Sequence, residues 1–332
     1  MTAAELKRRC ENRNFDRIVV VVRDIFAEMA ELQRVWKVSP GLVWSSSDAT
    51  TPLRGPEGTP LRYDERCAAW FYANTELCII QPGEGDTVYR RFLDRFGEGI
   101  CCVRERVSPT EYEAQTKRFA ALGLRPVQTL EQGEEMALWL DLTAELGILY
   151  QMTAGGAAYE PAAGRLPERI SQVNISTPDL QKTVETLASL LEIGPWEVGR
   201  QCNAVVSNPA FRVNGELRET EFSFLLGILV CGNIEWEVIM PEKGPLVYND
   251  FIARRGIGFH HVLMEIPQAK WAQRLAQYAS DGIAMACKGT LGPVDWCYMD
   301  TEKELKFYTE LRTDAVMEKL PDGYVQYFYP AN

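Results

Sequence analysis

The stretch that decides the reading is Gly256-Ile-Gly-Phe-His-His-Val-Leu-Met-Glu-Ile266, which holds the only two histidines of the 332-residue chain. An earlier stretch, Gly97-Glu-Gly-Ile-Cys-Cys-Val-Arg-Glu-Arg-Val107, is its near copy, with two cysteines where the histidines stand. Working outward, a constant shift of 159 (241 minus 82) pairs Pro82 with Pro241, Gly85 with Gly244 and Tyr89 with Tyr248. It also pairs Phe92 with Phe251, Gly97 with Gly256, Gly99 with Gly258 and Asp141 with Asp300. A shift of 155 lays Phe15-Asp-Arg-Ile-Val-Val-Val-Val-Arg-Asp24 on Ile170-Ser-Gln-Val-Asn-Ile-Ser-Thr-Pro-Asp179. One register held over so many glycines and aromatics marks a duplicated domain.

The expected division is a helical extension over 1–14, a first domain over 15–152, a Pro/Gly-rich linker over 153–169 and a second domain over 170–332. Within each copy strand-like and helix-like periods alternate. Ile18 to Val22 and Val173 to Ser176 read as strands, each followed by an aspartate and an amphipathic helix. Two short strands, a helix from Val88 or Val247, a Gly-x-Gly turn and a further strand–helix–strand–strand series follow. The order strand–helix–three strands therefore recurs four times. The paired glycines are turn residues, because a strand and not a helix follows them, so they form no phosphate cradle.

Composition narrows the partners. The apolar content of 46% and charged content of 24% are globular values. A net charge of -11 without a basic block argues against nucleic acid or an anionic membrane surface. No stretch approaches the ~18 apolar residues of a membrane span. The N-terminus has no apolar signal core. Nine cysteines without a C-x-x-C pair indicate neither a disulfide framework nor a zinc ribbon, and a cytoplasmic setting is expected.

The element order, with Gly-x-Gly-x-His-His-Val opening a strand, resembles the vicinal oxygen chelate superfamily, which includes glyoxalase I, methylmalonyl-CoA epimerase, extradiol dioxygenases and bleomycin-resistance proteins. The resemblance covers nearly the whole chain after residue 14. It implies an α+β fold of two tandem domains, each of paired βαβββ units forming a cupped mixed sheet with helices outside. It also implies metal ligands on the first and fourth strands of each unit. By position these are Gln172, Glu237, His261 and Glu310, the residue types and order of eukaryotic glyoxalase I. The first-domain equivalents, Arg17, Cys78, Cys102 and Gln151, include no carboxylate or imidazole, and a guanidinium cannot ligate a metal. The expected cofactor is one divalent ion in the second domain; Zn, Ni, Co and Mn are not distinguished.

Side chains alternate faces along a strand. Gln172 therefore shares a polar face with Asn174 and Ser176, while Val173 and Ile175 face helices. His261 is the ligand candidate and His260 its packing neighbour. Tyr308 shares a face with Glu310 and is expected to contact substrate, as are Asn174 and Arg17; the Arg17 cation is expected to hold a substrate carboxylate or an internal glutamate. Cys101 and Cys102 read as buried small residues.

The resemblance implies Glu310 and Glu237 as bases. The leading expectation is an isomerase or epimerase (a racemase) that moves a proton next to a carbonyl through an enolate or enediolate. A glyoxalase-type lyase and a non-catalytic, resistance-like binding protein are alternatives. A ring-cleaving dioxygenase is disfavoured, because it needs a His, His, Glu iron triad and additional histidines. The substrate is a small carbonyl compound, with the aromatic content leaning toward an aromatic one. A homo-oligomer remains open.

Overall fold

The computed structural model describes residues 1–156, 160–161, 164–317, 321 and 324–330. The middle of the linker, 157–159 and 162–163, lies outside the described residues. The chain separates into two compact bodies, Arg13–Pro167 and Glu168–Asn332, the latter joined by Met1–Asn12. Among the described residues no helix is long and apolar enough to cross a membrane.

Residues 1–12 do not stand apart. Helix α1 (Ala3–Glu11) carries a Thr2/Glu5 capping box and belongs to the 168–332 body. Its apolar side explains the placement: Leu6 and Cys10 are buried, and Arg9 donates to Glu192 at 2.8 Å.

In the 13–167 body, β1 (Phe15–Val21), α2 (Ile25–Trp36), β2 (Leu42–Ser47), β3 (Leu53–Arg54), β4 (Tyr63–Phe71) and β5 (Glu76–Gly85) form the first half. Helix α3 (Val88–Phe96) leads to β6 (Gly99–Val107), α4 (Pro109–Ala121), β7 (Gln128–Gln132), β8 (Glu135–Leu142) and β9 (Ile148–Ala154). Among the described residues these strands make one curled nine-stranded sheet, β2-β4-β5-β1-β6-β9-β8-β7-β3.

The 168–332 body repeats the plan with insertions. Its elements are β10 (Ile170–Ser176), α5 (Leu180–Leu191), β11 (Trp196–Cys202), β12 (Ser207–Val213), β13 (Glu216–Arg218), β14 (Ser223–Cys231) and β15 (Ile234–Lys243). Then come α6 (Val247–Arg255), β16 (Gly258–Ile266), α7 (Trp271–Ser280), β17 (Met285–Leu291), β18 (Val294–Met299), α8 (Glu302–Leu305), β19 (Tyr308–Thr313) and β20 (Val325–Tyr329). Their sheet runs β13-β12-β17-β18-β19-β16-β10-β15-β14-β11-β20. The fold is thus mixed α+β, two curled sheets with helices outside.

Local chemistry repeats with the sequence. Asp24 caps α2 by accepting from the Phe26 and Ala27 amides, and Asp179 caps α5 by accepting from the Lys182 amide. Both helices end on a residue with positive φ, Lys37 at 58° and Glu192 at 54°. Helices α3 and α6 end at Gly97 (φ 78°) and Gly256 (φ 75°), a backbone region where glycine carries no Cβ penalty. Every residue of β10 is buried, because Val173 and Ile175 take one face and the polar Gln172, Asn174 and Ser176 the other. Burying each such branched side chain contributes about 1.5–3 kcal/mol.

The strand registers superimpose too. Asn174 pairs with Glu237 on β15 and with His261 on β16. At the same shifts, Val19 pairs with Cys78 on β5 and with Cys102 on β6. In both β16 and β6 the ladder skips one residue, His260 or Cys101. Each is the extra residue of a β-bulge.

Candidate metal centre

The second sheet encloses a cavity of about 410 Å³, with Gln172, Glu237, Glu310, Tyr298, Trp296 and Arg312 among its walls. Strands β15, β16 and β19 lie near one another through β10, which places their side chains on one floor. Glu237, His261 and Glu310 meet there, each with a ligating atom within 4.8 Å of the others. His261 Nε2 stands 3.1 Å from Glu237 Oε2 and 3.0 Å from Glu310 Oε2, and His261 is fully buried.

These separations suit a shared cation. Donors about 2.0–2.2 Å from one ion and at right angles to each other lie about 3 Å apart. The oxygen-rich donor set with one imidazole matches a divalent ion that keeps open positions. A fourth polar group points the same way: Gln172 lines the cavity, and its buried Nε2 has no hydrogen-bond partner. The two ends of its amide are interchangeable by rotation, so the orphan can present its oxygen instead. The residues fit one divalent metal ion.

The first-strand residue directly across from Glu237 and His261 is Asn174; Gln172 stands two positions farther along the same face, across from Glu235 and Leu263. Asn174 Nδ2 donates to Glu237 Oε2 at 3.0 Å, and its Oδ1 accepts from Ser176 at 2.9 Å. Asn174 therefore holds a site carboxylate, and this satisfies both ends of its amide instead of leaving one for substrate.

One other sequence expectation needs correction. Tyr308 does not line the cavity: its ring stacks on His260 with centroids 4.8 Å apart. His260, the extra residue of the β16 bulge, packs there against Tyr248 and Phe251 as well. Arg17, in the first body as expected, pairs with Glu76 at 2.8 Å, the internal glutamate that was one of its two expected partners.

Two cavity residues had no functional reading from sequence. Tyr298 OH donates to Glu310 Oε2 at 2.9 Å and lies 3.3 Å from His261 Nε2. Nothing local marks Tyr298, because it is brought opposite Glu310 by β18–β19 pairing. Arg312 donates to Glu235 at 3.0 Å and to Glu265 at 2.9 Å. Its place two residues past Glu310 on one strand was a usable signal.

Electrostatics bind the group together. Burial raises the Glu237 carboxyl, and the charge of Glu310 adds to this, while His261 and Asn174 oppose it. Burial pulls the His261 imidazole down, but hydrogen bonds and charge from Glu237 and Glu310 outweigh it, and its pKa stands above the ordinary value. Burial and the neighbouring His261 hold His260 well below its usual range, so it is neutral. The two Nδ1 atoms are 3.0 Å apart. A cation at His261 Nε2 requires the ring proton on Nδ1, with His260 accepting it.

No family model and no curated protein sequence matches the chain. Among solved structures, a triple-substituted 4-hydroxymandelate synthase from Streptomyces coelicolor aligns over 93% of this chain and 95% of its own, with TM-score 0.57 and 12% identity. The chain shares that synthase's fold. A 2,2',3-trihydroxybiphenyl 1,2-dioxygenase from Sphingomonas wittichii aligns over 95% of this chain and 92% of its own, at TM-score 0.48 and 12% identity.

Proposed function

We propose that the protein is a vicinal oxygen chelate enzyme that uses one divalent metal ion to move a proton at the carbon next to a carbonyl. The observation that supports this reading best is the buried Glu237–His261–Glu310 group, two carboxylates on one imidazole in the wall of a cavity. A divalent cation there supplies Lewis-acid stabilisation of charge developing on a substrate oxygen. Glu237, His261 and Glu310 hold it, with Gln172 as a further oxygen donor.

The carboxylates are placed for the proton. Each turns Oε2 toward His261, and the remaining oxygens are assigned to the substrate carbon acid. Tyr298 fixes Glu310 and Asn174 fixes Glu237, so neither must reorganise as it takes the proton. Two such bases supply the isomerase or epimerase outcome. Phe224, Trp296, Tyr298 and Tyr324 make walls for a small carbonyl substrate bearing an aromatic group.

A second reading, a dioxygenase that includes the ring-cleaving type, is favoured by the fold shared with 4-hydroxymandelate synthase. The single imidazole counts against it, because non-haem iron oxygenases use two histidines and one carboxylate. Fold alone does not set the reaction. Aryl ketones and aryl 2-oxo and 2-hydroxy acids, incubated with metal-loaded protein in heavy water, separate the two. The proposal expects catalysed exchange of the proton beside the carbonyl, lowered about 100-fold or more in Glu310→Gln, with metal content measured alongside. Oxygen uptake without exchange would replace it by the second reading. Protein purified without chelator and carrying no metal would favour a non-catalytic binder.

A further inference from the structure

The 13–167 body keeps a cavity of its own, about 360 Å³, at the position that the metal cavity occupies in its duplicate. The equivalents of Glu237, His261 and Glu310 are Cys78, Cys102 and Gln151, related by the same shift of 159. Burial pushes the Cys78 thiol up to about 12 and the Cys102 thiol above its usual range, so both are neutral and poor cation ligands. Yet the space has not closed. Trp44, Tyr63, Phe71, Tyr89 and Trp139 wall it, and Trp139 Nε1 donates to Tyr89 OH at 3.0 Å.

Its polar lining is unfinished. Arg17 Nε, Glu65 Oε1, Gln128 Nε2 and Gln151 Oε1 are all buried without a hydrogen-bond partner, and all four residues line this one cavity. Gln128 is fully buried, and Glu65 and Gln151 are each only 6% exposed. Gln128 spends its Oε1 on the Val88 amide at 3.1 Å, which leaves the nitrogen over. Buried polar groups in folded proteins are paired in about 90% of cases or more. A void lined by such orphans costs stability twice, in lost contacts and in lost hydrogen bonds.

The formal charges, by contrast, are settled. Glu76 faces Arg17 at 2.8 Å and Arg104 at 3.4 Å, and Asp16 holds Arg104 at 2.7 Å. Burial raises Glu65 to about 7, so its carboxyl holds a proton up to neutral pH. Among the described residues that line this cavity, no cation is left unpaired for a carboxylate or phosphate.

We propose that this cavity is a second, metal-independent binding site for a small uncharged aromatic molecule bearing hydroxyl, carbonyl or amide groups. A flat ring covers the Trp139 and Tyr89 walls, and its polar edge meets donors at Arg17 and Gln128 and the acceptor at Gln151. Leu42 (43% exposed) and Gln132 are lining residues that reach solvent and mark the mouth.

Calorimetric titration of the full chain with 2-naphthol, an uncharged two-ring phenol, tests this. Saturable binding is expected, and naphthalene-2-carboxylate should bind at least about tenfold more weakly, because it brings an unpaired charge. Gln151→Met should weaken 2-naphthol about tenfold or more while leaving Tm unchanged or higher, since it deletes an orphaned acceptor. Gln172→Met, in the other cavity, should leave this binding event in place. Undiminished affinity in Gln151→Met, loss of all binding in Gln172→Met, or equal affinity for the carboxylate overturns the site. Should Gln151→Met not fold, a crystal structure of the unsubstituted chain with 2-naphthol gives the answer: a ring beside Trp139 and Gln151 supports the site, and a cavity without it overturns it.

Discussion

His261 shows how a neighbourhood sets a side chain's chemistry. Buried alone, an imidazole sheds its proton; between two carboxylates it keeps one. In the metal-free group Glu237 and His261 are both raised, so the pair holds a proton more tightly than either side chain alone. A cation must displace it, since only the neutral imidazole and ionised carboxylates ligate. Zn²⁺ binding should then release about one proton or more per ion at pH 7, read by titration calorimetry in buffers of different ionisation enthalpy. Affinity should fall as pH falls, because protons and metal compete for the same lone pairs; pH-independent binding would place the ion elsewhere. His261, Glu237 and Glu310 were legible as candidates because their positions match the metal ligands that the resemblance to the vicinal oxygen chelate superfamily implies. The sequence did not foresee the stacking of Tyr308 on His260, a contact between strands distant in the chain.

At the scale of elements, the helices are set by short-range chemistry. Asp24 and Asp179 were visible as the residues that close the first strand of each copy, and they prove to be N-caps whose carboxylates satisfy otherwise free amides. Asp24→Ala should cost about 1 kcal/mol, seen as a lower Tm, with metal binding unaffected because α2 lies in the other body. The strands needed more than local chemistry. Expected strand ends near Ile80 and Ile239 extend to Gly85 and Lys243. Strand β12 carries β13 as a hairpin and pairs onto β17, with Phe211 across from Cys287, a distant partner that no local pattern names. Gly289 has a similar origin: a Cβ there would sit 2.6 Å from Trp296, so the cavity wall requires its absence.

For the molecule as a whole, duplication has yielded two cavities with different lining chemistry. The group suited to a cation lies in the 168–332 body, where β15, β16 and β19 bring Glu237, His261 and Glu310 together. Added Zn²⁺ should therefore slow amide hydrogen exchange in β10, β15, β16 and β19, while β1, β5, β6 and β9 keep their metal-free rates. Equal protection in both sheets, followed by mass spectrometry, would count against a single metal centre. Helix α1 makes the same point about what spans the chain. Its amphipathic sequence was readable, but its membership of the body that begins 168 residues from the N-terminus depends on Leu6 and Cys10 finding a buried surface.

The amino-acid order alone determined the duplication, the strand–helix periods, the caps and the scarcity of imidazole, because each is a local or repeating property of the chain. Tertiary structure decided which carboxylate oxygens face His261, that Asn174 rather than Gln172 stands across from it, and that Tyr298 joins them. It also decided that Arg17 is answered by Glu76. Those outcomes depend on register between strands distant in the chain, and register is fixed only when whole faces are buried together.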